Sequence, residues 1–344
     1  MGEGTTPLVR SKHIGPALGM DHLYFKLESL NPTGSYKDRF AALAISGLLH
    51  RQASFCLATS SGNTGASLAA YAALAGMPCH IVVVDGAPPG KLAQMQAYGA
   101  KLWMVKEFGI DEKVTTEVFT GLQNLAASYA MPVQISAFRY SPFGMQGVQT
   151  IAYEIAEELS QIQHVFVPAG GGGLTLAVAR GFAVWNRGNN TFIHPKVHCV
   201  QPEGNNTIAG ALRTGEHRAR SIKSSTTRIS GLQVPSVIDG DEVIAACRKH
   251  GGNGFLVSDA EVQSLQKQLA REEGIFCEPA AAVALAGCIN AVQNNECKSD
   301  EAVVCLITGH GFKDQKAGEK LVEDNPLRHI ADLKELNKSF HEAY

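Results

Sequence analysis

SFCLATSSGNTGASLAAYAALAGMPCHIVVV, residues Ser54 to Val84, reads as a strand, a polar turn, a helix and a second strand. Ser54 to Thr59 is a short apolar run, Thr64 to Ala75 an alanine-rich helical pattern, and His80 to Val84 a β-branched run. That succession is a βαβ unit, whose strands must lie parallel. Gln52 to Val84 carries no Asp, Glu, Lys or Arg over a length that could span a bilayer. It is interrupted by Ser60-Ser61-Gly62-Asn63-Thr64-Gly65, Pro78 and His80, so a buried helix between buried strands is expected instead, with no membrane association.

The alternation continues outward. A helix is expected at Gly90 to Tyr98, a strand at Lys101 to Val105 and a long amphipathic helix at Asp111 to Tyr129. After them come a helix at Thr150 to Ser160, a strand at His164 to Pro168, a glycine loop at Gly170 to Gly173, a helix at Leu174 to Asn186 and a strand at Lys196 to Gln201. The fold class is therefore α/β. Glu203 to Asp241 lacks periodicity and reads as loops crossing one face, facing substrate or mobile. Asp259 to Glu272 is expected to be a helix capped by Ser258, with Glu261 completing a capping box. A buried helix at Pro279 to Val292 and a strand at Ala302 to Ile307 lead into Thr308-Gly309-His310-Gly311.

The 344 residues correspond to two domains at roughly 150 residues each. Hydrophobic residues make up 45%, charged residues 18%, and the formal net charge is -2. That balance excludes long disorder and nucleic-acid binding driven by bulk charge. The eight cysteines form no C-x-x-C pair and several lie in apolar runs, as expected of buried free thiols in a reducing cytoplasm. The N-terminal MGEGTTPLVR lacks the layout of a signal peptide.

Three segments carry chemistry. Asn31-Pro32-Thr33-Gly34-Ser35-Tyr36-Lys37-Asp38-Arg39 is a turn followed by a lysine near a helix start. Two readings stand at Lys37: a buried amine of lowered pKa suited to a Schiff base, or one solvated charge in a Lys-Asp-Arg cluster. Ser60 to Thr64 lies between a strand and a helix, where N–H groups and hydroxyls suit a carboxylate or phosphate. Gly170 to Gly173 also follows a strand and precedes a helix. It matches neither G-x-G-x-x-G nor a Walker loop, which leaves a monophosphate ester as its expected ligand and makes a nicotinamide cofactor a poor fit. These turns and the loop after Ile307 should face one crevice at the strand ends. No zinc spacing, H-E-x-x-H or G-x-S-x-G occurs, so no metal is expected. Glu157-Glu158 and Glu272-Glu273 read as solvated helix faces.

Nearly the whole chain, from Gly2 to Asp314, resembles the fold-type II pyridoxal-phosphate enzymes, and most of all their threonine synthase branch. LNPTGSYKDR (Leu30 to Arg39), SSGNTGASLAAYAALAG (Ser60 to Gly76), VPAGGGGL (Val167 to Leu174), AREEGIFCEPAAAVALAG (Ala270 to Gly287) and TGHGFKD (Thr308 to Asp314) carry the resemblance. It implies pyridoxal 5'-phosphate as cofactor, with Lys37 as Schiff-base lysine and proton shuttle. Asn63 would meet the cofactor's 3' oxygen, Gly170, Gly171, Gly172, Gly173 and Leu174 its phosphate, and Thr308 its pyridine nitrogen. Ser60, Ser61, Gly62 and Thr64 would hold the substrate carboxylate. The arginine that this branch places on the substrate phosphate aligns with Gly144 and its lysine with Gln149, which leaves Arg139 as the substitute.

The resemblance further implies two three-layer α/β/α domains with mostly parallel twisted sheets. Residues 1–40 plus 148–330 would form a large cofactor-binding domain, 41–147 a smaller mobile α/β domain, and 331–344 a polar C-terminal tail without a regulatory domain. The implied activity is a threonine synthase-like lyase acting on a small amino acid by β/γ elimination or replacement, in a homodimer. A serine/threonine dehydratase, a diaminopropionate ammonia-lyase and a β-replacement synthase using another nucleophile are same-class alternatives; an idle cofactor-binding homologue is the alternative from a different class.

Overall fold

A computed structural model describes residues 1–87, 89–189, 193–336 and 340. Among them the strands are β1 (Leu8–Arg10), β2 (Leu23–Lys26), β3 (Cys56–Thr59), β4 (Cys79–Val83), β5 (Lys101–Met104), β6 (His164–Pro168), β7 (Lys196–Pro202), β8 (Gly254–Val257) and β9 (Val303–Leu306). β3, β4 and β5 form one sheet in that order, and the other six form a second in the order β1-β2-β9-β6-β7-β8. Every pair is parallel except β1 with β2. The α/β class and the parallel sheets expected from the sequence are present, with strand β6 at the expected bounds.

Parallel strands joined by helices are covered on both faces, and the side chains of the larger sheet divide accordingly. Val165 and Val167 of β6 and Val304 and Leu306 of β9 join one core with Leu174, Val178 and Phe182 of the helix Gly173–Gly188. The alternate residues Phe166, Val303 and Cys305 join a second core with Ala281, Val283 and Leu285 of the helix Pro279–Gln293. The period-two pleat thus splits one apolar run between two layers. Helix Lys37–His50 packs against Asn63–Leu74 and Pro142–Val148, so Lys37 begins where the two sheets' layers meet. All eight cysteines are buried free thiols.

Several expectations change. Glu203 to Asp241 is not loop throughout, since it holds the helix Ala209–Arg213 and the first residues of Gly240–Lys249. Strands β1, β2 and β8 and the helices Ile14–Ala17, Pro142–Val148 and Gly240–Lys249 were not visible in the periodicity. In β2 (LYFK) the reason is Lys26, a buried lysine whose Nζ reaches Glu154 at 2.9 Å, Glu158 at 2.7 Å and the Thr6 carbonyl at 2.7 Å. Glu158 is therefore the partner of a buried cation rather than part of a purely solvated face. Glu273 likewise accepts hydrogen bonds from Ser11 Oγ and from the N–H groups of Lys12, His13 and Ile14. Much of the tail expected at 331–344 (337–339 and 341–344) lies outside the described residues.

Candidate active site

The Lys37 turn is assembled by its neighbours. Asp38 accepts from the Thr33 N–H at 2.7 Å and the Thr33 hydroxyl at 2.6 Å, folding Thr33 to Ser35 back onto the helix start. Arg39 is buried, donating to Glu28 at 2.7 Å through both Nε and Nη2 and to Glu154 at 2.5 Å and 2.8 Å. A buried guanidinium saturated in this way is costly to disturb. Asp38 and Arg39 are thus structural, and the solvated-cluster reading of Lys37 fails with them.

Lys37 is half-buried and lines a cavity of about 460 Å³, within the range that small-molecule sites occupy. Its Nζ donates to Ser136 Oγ at 2.6 Å, and Ser136 Oγ lies 2.9 Å from Thr64 Oγ1. Burial lowers the Lys37 amine to about 7, against an opposing pull from Glu278. A desolvated amine of that kind is a nucleophile and a proton carrier near neutral pH.

Ser60, Ser61, Gly62, Asn63 and Thr64 line the same cavity. The hydroxyl oxygens of Ser60 and Ser61 accept from the N–H groups of Gly65 at 3.0 Å and Val84 at 2.9 Å. Their hydroxyl hydrogens are left to donate, as a carboxylate requires. No side chain caps the helix Asn63–Leu74 at Gly62. Asn63 Nδ2 lies 3.1 Å from both Glu278 carboxylate oxygens.

Gly170, Gly171, Gly172, Gly173 and Leu174 form the opposite wall. Gly172 has φ +91, and a Cβ there would sit 2.7 Å from Val243 Cγ2; a Cβ on Gly170 would sit 3.0 Å from Val234 Cγ2. The helix Gly173–Gly188 starts without a side-chain cap, so its first N–H groups face a cradle that only glycine leaves open. Asp239 braces this wall, accepting from the N–H groups of Phe138 at 2.8 Å and Arg139 at 3.0 Å while its own N–H donates to the Gly171 carbonyl at 3.3 Å. Thr308 completes the enclosure: its hydroxyl is buried and has no hydrogen-bond partner.

The structure brings together every residue expected at the site except Arg139, which is exposed, stands over the Tyr140 ring at 5.8 Å and is not on the cavity wall. Nor could position 144 supply the missing arginine, because a Cβ there would lie 2.7 Å from Phe40 Cε2. Sequence reasoning missed Ser136, Lys91, Ser230 and Glu278 as wall residues. Glu278 had a signal, being the one charge between Glu273 and Glu296 at the head of an apolar helix. Lys91, a single basic residue near a helix start, had none.

Residues 1–309 match the family described as pyridoxal-phosphate dependent enzymes. The chain is 33% identical over 343 residues to a threonine synthase of Methanocaldococcus jannaschii, covering 99% of this chain and 82% of that one. It is 33% identical over 314 residues to a threonine synthase of Bacillus sp. (strain ULM1), covering 91% and 84%. The processed form of threonine deaminase isoform 2 from Solanum lycopersicum superposes with a TM-score of 0.76 at 24% identity, over 92% of this chain and 82% of that one, a likeness of fold. The chain belongs to the pyridoxal-phosphate dependent enzymes of fold type II. Within that class it is a threonine synthase-like lyase that depends on pyridoxal phosphate. The cavity fits that cofactor: it offers an unpartnered buried hydroxyl at Thr308, a glycine cradle for a phosphate and an amine of lowered pKa.

Proposed function

We propose that the chain converts an amino acid bearing a leaving group beyond Cα, with phosphohomoserine as substrate and threonine as product. The observation that carries this reading is the unpartnered Thr308 hydroxyl, buried in the same cavity as Lys37. Thr308 would bond the pyridine nitrogen without protonating it, Gly170 to Leu174 the phosphate, and Asn63 the 3' oxygen. Lys37 would hold the cofactor. Pyridoxal phosphate, when bound, supplies an electron sink that makes the Cα proton acidic and lets a group on Cβ or Cγ depart.

The chain's own groups then do the proton work. Lys37 Nζ, with its lowered pKa, takes and returns protons near neutrality. The Ser136 and Thr64 hydroxyls in series with it orient the amine. Ser60, Ser61, Gly62 and Thr64 hold the substrate carboxylate at the start of the helix Asn63–Leu74. Residues 1–40 plus 148–330 would act as the cofactor-binding domain and 41–147 as the smaller mobile one, a division supported by the three-stranded sheet lying wholly within 41–147. A cytoplasmic location accords with eight buried free thiols, and a homodimer is proposed on the family resemblance.

A serine/threonine dehydratase is the second reading, favoured by the packing of Gly144 and the outward position of Arg139. One experiment separates the two. The visible absorbance of the holoenzyme is recorded while phosphohomoserine, serine, threonine, phosphoserine and diaminopropionate are added in turn, with Lys37→Ala as control. Release of phosphate and threonine from phosphohomoserine is the expected result. A 2-oxo acid and ammonia from an unphosphorylated amino acid would put the dehydratase in its place.

A further inference from the structure

We propose that Gln201 is a positioning residue for the cofactor's phosphate: its side-chain amide pins the Gly170 carbonyl on the far side of the glycine loop, so that the loop turns N–H groups and not carbonyl oxygens toward the phosphate. The proposal deepens the reading given above and rests on it.

A run of glycines has no side chains to set the direction of its peptides, and glycine visits most of backbone space. Each trans peptide unit presents an N–H on one side and a carbonyl on the other, so a unit turned the wrong way aims an oxygen at the phosphate it should bind. Something outside the loop must fix the orientation. Gln201 Nε2 donates to the Gly170 carbonyl at 3.0 Å, and the Asp239 N–H donates to the Gly171 carbonyl at 3.3 Å. Gly170 and Gly171 line the cavity, whereas Gln201 and Asp239 are not on its wall. Both carbonyls are thus held on the side away from the cavity, and in the trans peptides of this loop the N–H groups of Gly171 and Gly172 point the opposite way. Neither N–H has a backbone acceptor among the described residues.

The fold places Gln201 for this task. Strand β7 runs beside β6 with Val200 opposite Pro168, and the Ala169 N–H extends the ladder to the Val200 carbonyl at 2.8 Å. The next residue of β7 therefore meets Gly170 where the loop leaves the sheet. Gln201 is fully buried, and both ends of its amide are used. Oε1 accepts from the N–H groups of Thr207 at 3.2 Å, Ile208 at 2.7 Å and Ala209 at 2.9 Å, closing the start of the helix Ala209–Arg213. The second Nε2 hydrogen goes to Thr207 Oγ1 at 3.0 Å. Three N–H donors on one atom settle which end of the amide is the oxygen, since the nitrogen accepts nothing. The two ends of one side chain thus have separable tasks. The oxygen holds the backbone at Thr207 to Ala209, and the nitrogen holds the loop that faces the phosphate.

The test uses full-length apoprotein, prepared from holoenzyme, and two ligands, pyridoxal phosphate and 5'-deoxypyridoxal, which share the ring and aldehyde and differ in the phosphate. Dissociation constants are read from the ligand's absorbance, and the unfolding temperature of each apoprotein is measured beside them. Gln201→Glu keeps an acceptor for the three N–H groups, which hold its carboxylate ionised, and removes the donor; Gln201→Met is a neutral chain of similar length that removes both. The expected result is that each variant weakens pyridoxal phosphate at least about tenfold, roughly 1.4 kcal/mol, and leaves 5'-deoxypyridoxal within about twofold, while the unfolding temperature falls further in Gln201→Met than in Gln201→Glu. Equal weakening of both ligands would make Gln201 a structural tie and overturn the proposal, as would undiminished binding of pyridoxal phosphate by Gln201→Glu, which decides alone if Gln201→Met does not fold. Selective loss in Gln201→Glu with none in a folded Gln201→Met would trace to the added charge and also overturn it. Wild-type protein that binds the two ligands equally would instead overturn the reading of the glycine loop as the phosphate's site, and the proposal with it.

Discussion

Two helices that begin at the cleft and two that begin elsewhere are started in different ways. The helices Asn63–Leu74 and Gly173–Gly188 open at glycines, Gly62 and Gly172, which cap nothing themselves; in the first, Ser60 Oγ takes the Gly65 N–H and leaves the N–H groups of Asn63 and Thr64 without a side-chain cap. Away from the cleft, Glu112–Ser128 is capped by Asp111, and Asp259–Glu272 by Ser258 with Glu261 in a reciprocal box. The first four N–H groups of any helix need acceptors. Where the chain supplies its own, the helix is finished; where it withholds them, the proposed ligands would finish it. The two open starts also differ from each other. Around Gly62 the wall is hydroxyl and amide, whereas around Gly172 it is bare backbone on a conformation that disfavours side chains.

The strongest way to break this comparison is to give the open start at Gly62 a cap of its own. Gly62 has φ -147, and a Cβ there meets no heavy atom within 4 Å. Gly62→Asp should fold normally, gaining only about 0.3 kcal/mol from the new cap, and should weaken amino-acid binding about a hundredfold, because one carboxylate cannot share those N–H groups with another. Thermal unfolding and absorbance titration measure the two effects. Unchanged affinity would remove the carboxylate from this turn.

Gly172→Ala probes the other open start, where a cap cannot even be introduced without strain. The residue has φ +91, and the added carbon would meet Val243 Cγ2 at 2.7 Å and Ile208 Cδ1 at 2.9 Å. A loss of about 2 kcal/mol in stability is expected, together with weaker cofactor retention on dialysis. Full retention at reduced stability would separate the glycine's conformational role from the phosphate.

Most of these features could be read from the residues, and the exceptions have physical causes. The open starts were legible because a βα turn of small and polar residues lies between two apolar patterns at Ser60 to Thr64 and again at Gly170 to Gly173. The capping box at Ser258 and Glu261 was legible for the same local reason. Strand β2 was not, since its buried Lys26 is neutralised by Glu154 and Glu158, more than a hundred residues away in sequence. Glu273 was misread because its partners, Ser11 to Ile14, are brought to it by the tertiary fold. Lys91 and Ser230 meet only across the cleft, and neither carries a local signal. What depends on spacing within one element is written locally; what depends on two elements meeting is not.

Lys37, at a third helix start on the cleft, gives a pH test. Its amine is lowered to about 7, chiefly by burial, from an ordinary value near ~10.4. In the role proposed for Lys37, the uncharged amine is the form that would add to the cofactor's aldehyde. Capture of pyridoxal phosphate by apoprotein should therefore be slow below pH 7, falling about tenfold per pH unit, and level off above pH 8. The same shift makes the folded apoprotein bind fewer protons than the unfolded chain between the two values, so this group favours folding increasingly as pH rises through that window. Stopped-flow absorbance checks the rate; a rate still climbing at pH 9 would mean an amine that is not desolvated.

The smallest effect belongs to the finished start, and it is the control that gives the others meaning. Ser258 Oγ accepts from the Glu261 N–H at 3.2 Å, and Glu261 Oε2 accepts from the Ser258 N–H at 3.4 Å. Ser258→Ala strips this cap and should cost about 1 kcal/mol of stability, read as a small drop in unfolding temperature. Neither cofactor nor amino-acid affinity should move, because the N–H groups it exposes lie on a helix whose start is not on the cavity wall. If Ser258→Ala and Gly62→Asp changed ligand affinity alike, the distinction between a start kept open for a ligand and one closed by its own chain would collapse. If only Gly62→Asp does so, an uncapped start on a cleft marks where a ligand supplies what the sequence has left out.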